Sequence, residues 1–180
     1  MSLETSRLEF EQDANRSLAM PIAGTIIWAV IGVLSLLLDE RSAVYMMLFA
    51  TGGILPIALI IAKIRSEKLL TATNPLAKLM GACVLMVNLL WAVHIPLVLQ
   101  APQFVPLSLG IALGLHWIVY SWIIQHPLGT IHAITRTLLV LLAWALFPDI
   151  RIFAVAMAIV LTYLISLYQM TTRNLVLASA

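Results

Sequence analysis

The sequence predicts an all-α integral membrane bundle of six transmembrane helices, and three observations carry that prediction. Hydrophobic residues make up 62% of the chain and charged residues 10%, whereas ordinary soluble domains carry about a quarter charged. With 180 residues and so few charges, the chain could not cover its apolar surface in water, so lipid is the solvent for most of it. The apolar residues also fall into six runs, each near the ~20 residues that cross a hydrocarbon core. Finally, the runs are apolar throughout. A span must satisfy its own backbone groups as a helix or within a closed barrel. Barrel strands alternate polar and apolar residues over about 10 positions, so continuous runs leave the helix.

Residues 1–20 read as a lead-in, 21–170 as the six-helix domain and 171–180 as a tail. The stretch SLETSRLEFEQDANRS carries Glu4, Glu9, Glu11 and Asp13 and reads as a short amphipathic helix with Leu3, Leu8 and Phe10 on its apolar side. Its acidity opposes an anchor on anionic lipid, so it is expected to pack on the bundle. It lacks the basic start, short apolar core and cleavage site of a signal peptide, and the first run is therefore expected to be a retained span.

That first span is Pro21–Leu38, bounded by Asp39, Glu40 and Arg41. Ser42–Ala62 follows, closed by Lys63 and Arg65. In the third, Asn74 is a cap and Pro75 suits a first turn, with the span itself at Leu79–Leu99. The loop QAPQFVP leads into Val105–Ile124. Leu128–Phe147 is the fifth, with His132 and Arg136 in its first turns, and PDIR turns the chain into Ile152–Tyr168.

Lysine and arginine placement sets the threading. Arg7, Arg16, Lys63, Arg65, Lys68, Lys78, Arg136 and Arg173 fall on one side, Arg41 and Arg151 on the other. That bias, with an even number of spans, places the N and C termini in the cytoplasm of a multi-pass cell-membrane protein.

The residues that are missing exclude much. All eight acids lie in the ends or connections, so no span holds the Asp or Glu that ion-coupled carriers and pumps commonly place at depth. Four histidines cannot supply the paired boxes of a di-iron desaturase. GxSxG, Walker and dinucleotide glycine patterns are absent. A lone Cys83 excludes an internal disulfide and a Cys-rich zinc site and reads as a small buried apolar side chain. The net charge of +2 on scattered cations gives nucleic acid no footing. The balance leans away from an enzyme, and no metal or cofactor is expected. A haem between His94 and His116 fails because their depths differ by roughly 8 to 9 Å at helical rise.

What remains is a sparse polar set. His116 and Tyr120 share one helical face, as do His132 and Arg136. With Asn88 and His94, these six could line one seam descending through the third, fourth and fifth spans as a ligand or proton pathway. Arg136, expected near the inner interface, has the forked donor geometry for a phosphate or carboxylate. Each also has a purely structural reading. His116 with Tyr120 serves as an interhelical hydrogen bond, His94 beside Trp91 as an interfacial residue, Asn88 as helix glue, and His132 with Arg136 as snorkelling side chains. A metal site from His126 and His132 lacks an acid or thiol partner. Gly110 and Gly114, and Ala154 and Ala158, are spaced four apart for close helix packing, within one chain or across a homodimer. Trp28, Trp91, Trp117, Trp122 and Trp144 read as belt and packing aromatics.

The run GGILPIALIIAKI, the later NPLAKL, and an acidic lead-in before about six helices resemble a family of small bacterial multi-pass membrane proteins of unknown function. The resemblance implies a bacterial inner membrane and transfers no catalytic residue. The leading functional expectation is a noncatalytic protein binding a small ligand, lipid or partner within the bundle. A small dimeric carrier or proton-linked permease using the histidine seam is the alternative, and a lipid-headgroup enzyme at the cytoplasmic face the third.

Overall fold

In the computed structural model, which describes residues 2–69 and 73–174, six helical stretches are long and apolar enough to cross a membrane. The lead-in is helix α1, Leu3–Ala14, and the first span is α2, Ala19–Ser35. The second is split into α3, Glu40–Gly52, and α4, Ile54–Arg65; the third into α5, Pro75–Leu89, and α6, Trp91–Gln100; the fourth into α7, Val105–Ala112, and α8, Trp117–Ile124. The fifth and sixth are single helices, α9, Leu128–Leu146, and α10, Arg151–Thr172. The expected tail thus begins after Thr172, and its residues 175–180 lie outside the described residues.

Local chemistry explains the starts and breaks. Asp39 caps α3, its Oδ1 accepting the Ser42 N–H at 3.1 Å. Bonds from the Ser42 side chain and backbone hold its carboxyl below the usual range. Asn74 caps α5 as expected, accepting the Leu76 N–H at 2.8 Å, and Pro75 occupies the first turn. Between α7 and α8, residues 113–116 tighten into three-residue bonds such as Gly114 N–H to Ile111 O, 2.9 Å.

The core is built on α10, whose buried Ile152, Val155, Ala156, Ile159 and Tyr163 pack against α2 and α9. Small residues permit the approach. A Cβ on Gly24 would lie 2.7 Å from the Tyr163 ring, and one on Gly32 would lie 3.2 Å from Ala156 Cβ. Gly110 serves the same purpose, since a Cβ there would lie 3.1 Å from Val140 and 3.3 Å from Val155. Ala154 and Ala158 are half-buried beside this core. The third span is the least engaged. Only Leu76, Cys83 and Val87 of α5 and His94 of α6 are buried. Leu85, Met86, Leu89, Ile95 and Leu99 face outward, as a lipid-facing surface requires.

At the end carrying both termini, α1 folds back onto the bundle. The turn that joins it to α2 holds Asn15, Arg16 and Ser17 at φ 40, 70 and 55°, left-handed values that cost non-glycine residues about 1–2 kcal/mol each. Long-range bonds hold it there. Arg16 Nη1 reaches the carbonyls of Met170, Thr171 and Arg173 at 2.9 Å, free acceptors at the carboxyl end of α10. Asn15 donates to the Arg65 carbonyl at 2.9 Å. Arg173 grips both carboxylate oxygens of Glu11 at 2.7 and 2.9 Å. Glu67 accepts the Leu18 and Ala19 N–H groups at 3.2 and 3.0 Å, capping α2 from a distant connection.

Candidate functional site

The six expected polar residues separate into three places. His132 and Arg136 point from α9 into the core and are 1% and 0% exposed. Arg136 is the ninth residue of 19 in α9, about 12 Å from its start at 1.5 Å per residue, close to mid-membrane. It does not snorkel, which corrects the expectation of an interfacial cation. It also leaves the termini end, so that side carries seven cations against two.

The surroundings of Arg136 are specific. Its Nε donates to the Gly110 carbonyl at 2.7 Å. Gly114 makes room for it, since a Cβ there would lie 2.7 Å from Arg136 Cδ. The predicted glycine pair therefore serves contacts within this chain: one glycine offers a carbonyl and close packing, the other space. The guanidinium carbon lies 5.2 Å from the Tyr163 ring and 5.8 Å from Trp28, within cation–π range. Nη1 and Nη2 are buried and have no hydrogen-bond partner among the described residues. A charge at this depth costs about 2.5–3.5 kcal/mol on insertion scales, and no carboxylate offsets it.

His132 is stacked on Trp117, with ring centroids 3.9 Å apart and planes at 12°. Its Nδ1 meets Ser166 Oγ at 2.7 Å, and Ser166 gives its only proton to the Thr162 carbonyl at 3.0 Å. With that proton on Thr162 the serine accepts from His132 Nδ1–H, and Nε2 is buried without a partner among the described residues. His94 makes the same kind of bond elsewhere. It is buried between α6 and α7, with Nδ1 3.1 Å from Ser108 Oγ. Among the described residues no chain of hydrogen bonds joins the two histidines, so these residues occupy separate contacts rather than one continuous seam. His126 accepts the Leu128 N–H at 3.2 Å and shapes the turn into α9.

Asn88, His116 and Tyr120 meet at the third place, a groove of about 420 Å³ bounded by α1, α2, α4, α5, α8 and the connection at Glu67–Leu69. Ala77, Met80, Gly81, Val84, Leu85 and Asn88 form its α5 wall at helical spacing, while Phe10, Met20, Leu55, Trp117 and Met170 face them. A Cβ on Gly81 would meet nothing within 4 Å. Glu67, Lys68 and Tyr120, whose ring lies 6.4 Å from that of Phe10 in α1, border the groove towards the termini end; His116 and Asn88 lie farther from that end along α8 and α5. The four-residue spacing of His116 and Tyr120 thus does put both on one surface. Asn88 spends its Nδ2 on its own helix, at Val84 O, 2.8 Å.

Sequence reasoning missed Trp117, Tyr163, Ser166 and Glu67. Tyr163 and Ser166 lie three apart in LTYLIS, a polar pair within the last span and the one signal that could have been read. Among the described residues, no three His, Cys, Asp or Glu side chains gather for a metal ion.

Fold and site together define a multi-pass α-helical membrane protein with a buried cationic core and an apolar groove under its amino-terminal helix. Residues 3–173 match the Family of unknown function (DUF7010), and the chain belongs to that family. This agrees with the resemblance carried by GGILPIALIIAKI and NPLAKL. No curated protein and no solved structure matches the chain.

Proposed function

We propose that this protein is a noncatalytic lipid-binding protein of a bacterial cytoplasmic membrane, both termini cytoplasmic, that holds one acyl chain in the groove along α5. The shape of the groove carries this reading. From Ala77 to Asn88 it follows α5 for about 16 Å at helical rise. Phe10, Met20, Leu55, Met80, Val84 and Leu85 give it apolar walls along that length. A row of methylenes laid along such walls gains about 0.8 kcal/mol per buried CH₂. The bilayer supplies such chains at the open side of α5. Lys68 at the mouth is paired with Asp13 at 2.7 Å while its side chain stays 60% exposed, so the pair together offers both charges to a zwitterionic headgroup. Seven cations at this end against two at the other support the cytoplasmic placement. A proton-linked carrier is less favoured, because His94 and His132 occupy separate contacts.

The test uses the glycine that faces open space. Protein in phosphatidylcholine nanodiscs is labelled with a photoactivatable fatty acyl lipid and the adduct mapped by mass spectrometry. Labelling on α5 and α8 is expected, lost in Gly81→Phe and kept in Gly52→Phe, whose Cβ likewise meets nothing. Equal labelling of both variants, or labelling spread evenly over the lipid-facing helices, would refute the reading.

A further inference from the structure

We propose that Arg136 is the centre of an oxyanion-binding site at mid-membrane, taking a carboxylate or a phosphate-class group through the Nη1–Nη2 edge of its guanidinium. The site is distinct from the groove and does not depend on what fills it. A guanidinium has five N–H donors. Nε is spent on the Gly110 carbonyl, and the two terminal nitrogens, which carry the other four, are buried without an acceptor. Nothing among the described residues supplies the missing charge. Every acid lies in the ends or connections, and the ion pairs among the described residues join Glu4, Glu11, Asp13, Glu40 and Glu67 to other cations.

The neighbours point the same way. The indole Nε1 of Trp28 is a second buried donor without an acceptor, belonging to a ring within cation–π reach of Arg136. A group with two coplanar oxygens satisfies Nη1 and Nη2 together, the bidentate geometry that distinguishes arginine from lysine. Gly114 faces Arg136 without a side chain. His116, two residues on and about 200° around the same turn, borders the groove. Gly114 and His116, on opposite sides of the 113–116 break, thus face the guanidinium and the groove respectively.

The oxyanion arrives either free or as the headgroup of a membrane amphiphile, and the experiment has an arm for each. Full-length protein with ¹⁵N-labelled arginine side chains is placed in phosphatidylcholine nanodiscs and the Arg136 resonances followed, assigned by their loss in Arg136→Lys. One arm adds sodium acetate or sodium phosphate at constant ionic strength; the other incorporates oleate or phosphatidic acid, with oleyl alcohol as the neutral control. A saturable shift confined to Arg136, with a raised thermal midpoint, is expected in at least one arm, and the responding arm names the source. Arg136→Lys should weaken binding about tenfold or more, and Arg136→Met should abolish the thermal response. No saturable shift in either arm overturns the proposal, as does a thermal response that persists in Arg136→Met. The wild-type titration decides alone if that variant does not fold.

Discussion

Glu67 offers the sharpest test of how the termini end is held together. Its side chain is 3% exposed and serves three donors: the Leu18 N–H at 3.2 Å, the Ala19 N–H at 3.0 Å and Arg65 Nε at 2.6 Å. The first two are opening amides of α2, which have no intrahelical partner, and the helix dipole favours an anion there. In Glu67→Ala both amides are left buried without an acceptor, at about 1–3 kcal/mol each. Arg65 is 30% exposed and turns to water, so its share is small. The expected loss is therefore about 2–6 kcal/mol. Glu67→Gln keeps one carbonyl oxygen but aims an NH₂ at a donor, giving up one charge-assisted bond, about 1.5–3 kcal/mol. The assay is reversible unfolding in mixed micelles of increasing SDS fraction, followed by tryptophan fluorescence. The order wild type, Gln, Ala is required. Two variants within about 0.5 kcal/mol of wild type, the range of neutral surface changes, would refute the capping role.

Two further outcomes use the same assay. Gly24→Ala places a methyl 2.7 Å from the Tyr163 ring and should cost about 1–3 kcal/mol through overpacking, partly restored by Tyr163→Leu in the double variant; an unchanged stability would mean that α2 and α10 are not held at this separation. Glu11→Ala strands Arg173, whose side chain is 6% exposed, and should cost towards the lower end of about 3–5 kcal/mol, because the end of α10 can release the arginine to water; Arg173→Met added to it should recover much of the loss, and strict additivity would rule out the pairing.

The architecture was legible because its cause is local and redundant. Six apolar runs, the Asn74–Pro75 start and the charged stops after Ala62 are each decided by neighbours in sequence, and their boundaries fall within a few residues of the observed helices. The fifth helix, weakened on paper by His132 and Arg136, forms in full from Leu128 to Leu146. Its polar residues face α10 and the fourth span rather than lipid. What could not be read was the subdivision of three spans and the clamping of α1. The clamp depends on groups far apart in the chain, such as Glu67 on α2 and Arg16 on the carboxyl end of α10.

The candidate site shows where such reading stops. Counting from a loop placed Arg136 by its distance along the chain, and a cation two turns inside a helix is ordinarily read as snorkelling. Whether it snorkels depends on which way its face turns. Here that face meets Gly110 and Gly114, whose missing side chains provide a carbonyl at 2.7 Å and the space for Cδ. The GxxxG spacing, legible as a packing signal, is thus part of the same feature as the arginine, and neither explains the other until α7 and α9 are side by side. The tryptophans follow the same logic. Trp122 is 53% exposed, as a belt residue should be, whereas Trp28 is 0% and Trp117 5% exposed. One lies against the guanidinium and the other against His132. Aromatic rings are among the few apolar groups that interact favourably with a buried cation, which makes Trp28 and Tyr163 part of what lets α9 bury Arg136.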